Sequence, residues 1–230
     1  MKHIFILAIT ILFFSCAAPS QQVVDAATFE QHIKKPEVQL LDVRTAAEFK
    51  DGHIKEALQA DWTNQEQFKE RVKYLDKNRP IAVYCLSGGR SGQAAQWLLA
   101  NGFKNVENLK GGFTAWKQEN KPIQGATNVA QITTENYNAY ISSSNIVLID
   151  FSANWCPPCK QMAPVIEALK NEQKNKLKVI QLDGGVNTNV MQQLKVEALP
   201  TFIIYKNGKE TWRKQGVVTK EEFVTYLNSL

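Results

Sequence analysis

The chain has 230 residues, 44% of them hydrophobic and 21% charged, with a formal net charge of +5. That composition excludes an intrinsically disordered chain, and the length allows one or two domains. Lysines and arginines are scattered, which excludes the basic stripe of a nucleic-acid binder. Four cysteines, Cys16, Cys85, Cys156 and Cys159, are too few for a small disulfide-stapled scaffold.

The chain opens with a short positive start, Met1-Lys2-His3. Ile4 to Phe14 is then apolar except for Thr10, and Ser15-Cys16 follows. A membrane-spanning helix needs about 20 apolar residues, and this run is shorter. Its length suits an export signal that ends on a small residue. The cysteine behind Ser15 resembles the lipobox of bacterial lipoproteins, with Phe13 and Phe14 replacing its usual leucine and small residue. The resemblance implies cleavage before Cys16 and a lipid on its sulfur. It places the protein on the periplasmic side of a bacterial membrane. Residues 1–15 read as the signal and 16–22 as a tether.

In residues 23–120, Val38 to Val43 and Pro80 to Tyr84 read as buried strands, and Ser91 to Asn101 as a helix stopped by Gly102. Between the second strand and that helix lies Cys85-Leu86-Ser87-Gly88-Gly89-Arg90-Ser91. Gly88 and Gly89 allow backbone N–H groups to turn toward one point and form an anion-binding nest. A cysteine at its base is expected as a stabilised thiolate, with Arg90 adding charge and fixing the loop.

This half resembles the rhodanese family. The likeness runs through Leu41-Asp42-Val43-Arg44, Glu48-Phe49, Gly52-His53-Ile54, the Cys85 loop and Gly111-Gly112-Phe113-x-x-Trp116. Related phosphatases place five residues between cysteine and arginine. Here there are four, Leu86 to Gly89, as in sulfur-transferring members. The resemblance implies a persulfide on Cys85, with Leu86, Ser87, Gly88, Gly89, Arg90 and Ser91 lining the substrate cup. Leu86 replaces a basic residue common in thiosulfate users, and Glu56 replaces a common glycine. His53, the Asp42–Arg44 pair and Trp116 read as structural, and Trp62 and Trp97 as core.

Glu119 to Gly125 is polar and contains Pro122, so residues 121–129 read as an exposed linker. In residues 130–230, Ile146 to Phe151, Lys178 to Leu182 and Thr201 to Tyr205 read as strands. Lys206-Asn207-Gly208-Lys209 reads as a hairpin turn. Pro158 to about Asn171 reads as a helix that Pro164 should kink. Trp155-Cys156-Pro157-Pro158-Cys159-Lys160 joins the first strand to that helix. A lone C-x-x-C is half a zinc site, and the three histidines all precede residue 54, so no metal is expected. The helix start, with its free N–H groups, should lower the pKa of Cys156, read as the exposed first cysteine. Cys159, one turn on, can resolve the mixed disulfide that Cys156 forms.

The second half resembles the thioredoxin family through Val147 to Phe151, Trp155-Cys156-x-Pro158-Cys159-Lys160, Leu199-Pro200-Thr201-Phe202 and Lys206-Asn207-Gly208 with Gly216. The resemblance implies that Asp150 is a buried carboxylate assisting proton transfer to Cys159. It also implies that Pro200 is cis and that Trp155, Leu199 and Pro200 shape the substrate groove. Pro157, Ser152 and Gln181 depart from the family's glycine, tryptophan and lysine.

The expected fold class is therefore α/β in two domains, a rhodanese-like parallel sheet with helices on both faces and a thioredoxin fold. The expected protein is an exported sulfurtransferase and thiol–disulfide oxidoreductase acting on a small sulfane-sulfur donor or a protein disulfide. No cofactor motif is present, so an external membrane electron donor is expected to reduce Cys156 and Cys159. The alternatives are a disulfide reductase or exchanger whose rhodanese-like half binds or senses, and a non-catalytic adaptor.

Overall fold

The computed structural model describes residues 21–125 and 130–230. The expected signal, Cys16 and residues 126–129 lie outside them.

The first domain runs β1 (Gln22–Val24), α1 (Ala26–Ile33), β2 (Gln39–Asp42), α2 (Ala46–Lys50), β3 (Leu58–Gln59), α3 (Gln65–Val72), β4 (Ile81–Tyr84), α4 (Gly89–Ala100), β5 (Val106–Leu109) and α5 (Gly112–Gln118). All five strands are parallel, in the order β1-β5-β4-β2-β3. Strands β2 and β4 are buried along their whole length, which is why their apolar runs do not alternate with polar residues. Successive side chains still point to opposite faces. Leu41 and Val83 join Phe68 and Leu98 of α3 and α4 on one face. Leu40, Ala82 and Tyr84 join Phe29, Phe113 and Trp116 of α1 and α5 on the other. The expected sheet with helices on both faces is what forms.

The starts of α1, α2 and α3 are written in their caps. Asp25, Thr45 and Asn64 each accept from the backbone N–H three residues on. Thr45 and Glu48 complete a reciprocal capping box. Asp42 and Arg44 form the expected buried pair, with Arg44 Nη2 also donating to Gly52 O at 2.7 Å. Trp116 is buried, and Trp62 and Trp97 pack partly buried against the core.

Two boundaries move. Gln22, assigned to the tether, is the first residue of β1 and pairs with Glu107. Pro122 and Gln124, assigned to the linker, are held by the first domain. Trp116 Nε1 donates to Pro122 O at 2.9 Å, and His53 and Gln124 exchange two backbone hydrogen bonds at 2.7 Å. Their side chains are exposed, which is what the polar composition reported; their main-chain pairing left no mark on it.

The second domain runs α6 (Thr134–Ile141), β6 (Ile146–Ser152), α7 (Pro157–Glu172), β7 (Lys178–Asp183), α8 (Thr188–Gln193), β8 (Thr201–Lys206), β9 (Lys209–Gln215) and α9 (Lys220–Asn228). The sheet order is β7-β6-β8-β9, with β6 parallel to β7 and antiparallel to β8. Helix α7 continues through Pro164 as one element. Asn207 and Gly208 both have positive φ, 51° and 73°, as a two-residue hairpin of this twist requires.

Candidate active sites

The Cys85 loop begins where β4 ends at the C-terminal edge of the parallel sheet and closes as α4 begins. Cys85 is 1% exposed. Gly88 N–H donates to its Sγ at 3.1 Å, and Ser91 Oγ donates to it at 3.3 Å. Burial pushes the thiol up. The Ser91 hydroxyl and the backbone N–H groups of Ser91, Ser87 and Gly88 outweigh it, and the thiol settles below its ordinary value. The nest read from the glycines is present, and Gly88 adopts the positive φ, 99°, that turns the chain into α4.

The loop is fastened from outside. Arg90 forms a two-point pair with Glu48 of α2, Nη1 to Oε2 at 2.8 Å and Nη2 to Oε1 at 2.6 Å. That pairing holds the Glu48 carboxyl down at about 2. Arg90 therefore fixes the loop as expected, but its charge is already matched by a carboxylate. Behind the loop, Phe113 N–H donates to Cys85 O at 2.8 Å and Thr114 N–H to Leu86 O at 3.0 Å. Gly112 sits so close that a Cβ there would meet Cys85 O at 2.5 Å. Leu86 forms the outer lip and is 43% exposed. His53 is structural: its Nδ1 lies 2.9 Å from Phe49 O and its ring stacks on Phe49.

In the second domain, Cys156 caps α7 and is disulfide-bonded to Cys159, with Cα atoms 5.2 Å apart. Pro157 and Pro158 occupy the first turn, where a missing N–H breaks no helical bond. They also remove two of the free N–H groups expected to stabilise a Cys156 thiolate. The helix end offers only that of Cys159, because Lys160 N–H already donates to Cys156 O at 3.1 Å. The Leu199–Pro200 bond is cis, as the family resemblance implied, and Leu199 packs in one cluster with both cysteines.

Asp150 lies buried on β6, opposite Gln181 of β7. Gln181 Nε2 donates to its Oδ2 at 2.9 Å, and Lys170 Nζ donates to Gln181 Oε1 at 2.7 Å. Among the described residues, Asp150 Oδ1 has no hydrogen-bond partner. Burial drives the carboxyl above its ordinary value, and the hydrogen bond from Gln181 only partly offsets this. The lysine charge absent at position 181 is thus delivered at one remove, from α7 through an amide.

One expectation is corrected. Cys156 is not exposed; its relative exposure is 0%. It lies in the second domain's own core cluster, and the first domain packs on Trp155 beside it. Gln59 N–H on β3 donates to Trp155 O at 2.8 Å. The Trp155 ring lies against Phe49 and under the guanidinium of Arg71 at 5.2 Å. Cys85 and Cys156 are each engaged within their own loops and belong to different clusters, so the two sites are not merged into one. Glu48, Gln59, Arg71 and Gly112 were not anticipated as site residues. Glu48 was legible through its capping box; Gln59 and Arg71 left no local signal.

Comparison with known proteins agrees with this division. A rhodanese-like domain model matches residues 25–119, and a thioredoxin model matches residues 128–229. Thioredoxin X, chloroplastic, of Arabidopsis thaliana is 29% identical over 130 residues, covering 55% of this chain and 71% of that protein. A thioredoxin of Chlamydia caviae is 36% identical over 104 residues, 44% of this chain and 96% of its own. A thioredoxin of Rickettsia felis is 31% identical over 98 residues, 42% of this chain and 93% of its own. The chain belongs to the thioredoxin family, and its thioredoxin-type redox domain is carried behind a rhodanese-like domain.

Proposed function

We propose that the protein is an exported, lipid-anchored redox enzyme in which Cys85 carries a sulfane sulfur and the Cys156–Cys159 dithiol discharges it. The observation that carries this reading is the ring of donors around Cys85, which depresses the thiol despite its burial. The Cys85 thiolate attacks the outer sulfur of a donor R–S–SH. The bond to the inner sulfur breaks, RS⁻ leaves, and Cys85 becomes a persulfide. The Cys156 thiolate takes that outer sulfur and the Cys85 thiolate departs. Cys159 then attacks Cys156 Sγ, expels hydrosulfide and closes the disulfide. Two electrons from an external membrane donor restore the dithiol. Tethering raises the effective concentration of one site at the other, commonly to about millimolar.

Single-turnover mass spectrometry tests this. Persulfide is loaded on Cys85 of the reduced protein and hydrosulfide release is timed. Release faster than in the Cys156→Ser protein supports the relay; equal rates reject it.

A second reading is supported by the separation of the two sites. The dithiol would then act on protein disulfides, with the rhodanese-like domain working independently. Insulin disulfide reduction that is unchanged by Cys85→Ser would favour it.

A further inference from the structure

We propose that β3 and α3 of the first domain act as an internal substitute client, seated in the groove that receives an extended substrate segment beside Cys156. External clients and the Cys85 persulfide reach Cys156 only when this segment withdraws.

Three observations carry this. First, β3 is the edge strand of its sheet, and only its inner side is paired, with β2. Its outward N–H, from Gln59, is spent on Trp155 O at 2.8 Å. The bare edge of β3 thus lends its main chain to the loop beside the nucleophile, where an extended client would have to lie. Second, Arg71 is buried, with no carboxylate bonded to it among the described residues. Its guanidinium is consumed by Gln59, donating to the backbone O at 3.1 Å and to the side-chain Oε1, while its face covers Trp155. A planar cation over an indole is a contact that recognition surfaces use to hold an aromatic ring. Third, Cys156, the N-cap of α7, has no exposure at all, and the residue before it, Trp155, is the one that β3 and α3 contact.

The contact is also narrow. One cleft flanks it between Tyr74 and Pro157, and another between Glu70 and Leu199. A seam with open flanks separates more readily than a continuous core. The groove thus fits a partner that is extended, offers one free N–H to Trp155 O and places an arginine or other flat group over the ring. The chain's own segment meets that description.

The proposal rests on the dithiol reading only where a client is trapped, and access can be read directly. The full-length protein is reduced with a phosphine and pulsed with a bulky maleimide. Labelling of Cys156 is then mapped by mass, with Cys85 as the internal reference. Arg71→Ala should raise the Cys156 rate by about tenfold relative to Cys85, as the open fraction grows. An unchanged ratio in a folded variant overturns the proposal. The second measurement needs no change at the seam. A client peptide is trapped on Cys156 in the Cys159→Ser protein, and hydrogen exchange is followed across β3 and α3. Faster exchange at Gln59 on trapping supports displacement; unchanged exchange overturns it. If Arg71→Ala labels faster yet reduces no insulin, the seated segment stands and the dithiol-exchange reading fails.

Discussion

Gln181 donates a side-chain hydrogen bond to Asp150 at 2.9 Å and receives one from Lys170 at 2.7 Å, so a buried carboxylate is tied to a surface ammonium through a neutral amide. The native carboxyl lies above its unfolded value because of burial. The folded state therefore holds more protons than the unfolded state between those two values, and stability falls as pH rises through that window. Asp150→Asn should abolish this fall. The check is urea unfolding from pH 4 to 8. An equally steep decline in the variant would assign the effect to another group. Gln181→Leu, which removes the amide donor, should push the carboxyl higher still and move the decline to higher pH.

Ser91→Ala removes the hydroxyl that donates to Cys85 Sγ at 3.3 Å. The thiolate should lose about 1 kcal/mol of stabilisation, slowing Cys85 alkylation at neutral pH by roughly three- to tenfold. The rate at pH 10, where the thiol ionises regardless, should change little. Slowing at both pH values would mean that the loop has moved rather than that the thiol has been retuned.

Arg90 is the only cation in the Cys85 loop, and Glu48 neutralises it. A dianionic donor such as thiosulfate therefore meets no unmatched positive charge at the lip. Leu86→Arg supplies one at an exposed position and should raise kcat/KM for thiosulfate by roughly three- to tenfold, leaving an uncharged organic persulfide nearly unaffected. Parallel gains with both donors would argue against a charge-based filter.

Glu56 adopts φ 66°, a conformation that costs a residue bearing a Cβ about 1–2 kcal/mol. Glu56→Gly relieves that cost but loosens the unfolded chain, for a net gain of about 1 kcal/mol. An increased urea midpoint at unchanged slope is the expected result; a decreased midpoint would mean that the glutamate side chain contributes more than its backbone strain removes.

Local features were well legible. Two-faced burial of β2 and β4 leaves unbroken apolar runs, the helix starts carry their caps in sequence, and Asn207-Gly208 announces its turn. The Cys85 nest and the Cys156–Cys159 pair were legible because spacing along one chain segment fixes them. The contact on Trp155 beside Cys156 was not, because it comes from Gln59 and Arg71, which lie about 90 residues away in another domain. Nothing in the periodicity of α3 marks Arg71 as an interface residue. The same holds for Lys170, whose reach toward Gln181 depends on how α7 crosses β7.

Gly112 lies outside the Cys85 loop, yet its missing side chain is what allows α5 to press its main chain against Cys85 O and Leu86 O. The reactive loop is in effect cast against a neighbouring backbone, as a mould fixes a casting. Adding one methyl group at position 112 would force the two surfaces apart and open the ring of donors while every residue of the loop stayed the same. The geometry around the Cys85 thiol is therefore exposed to change at a position that never touches that thiol.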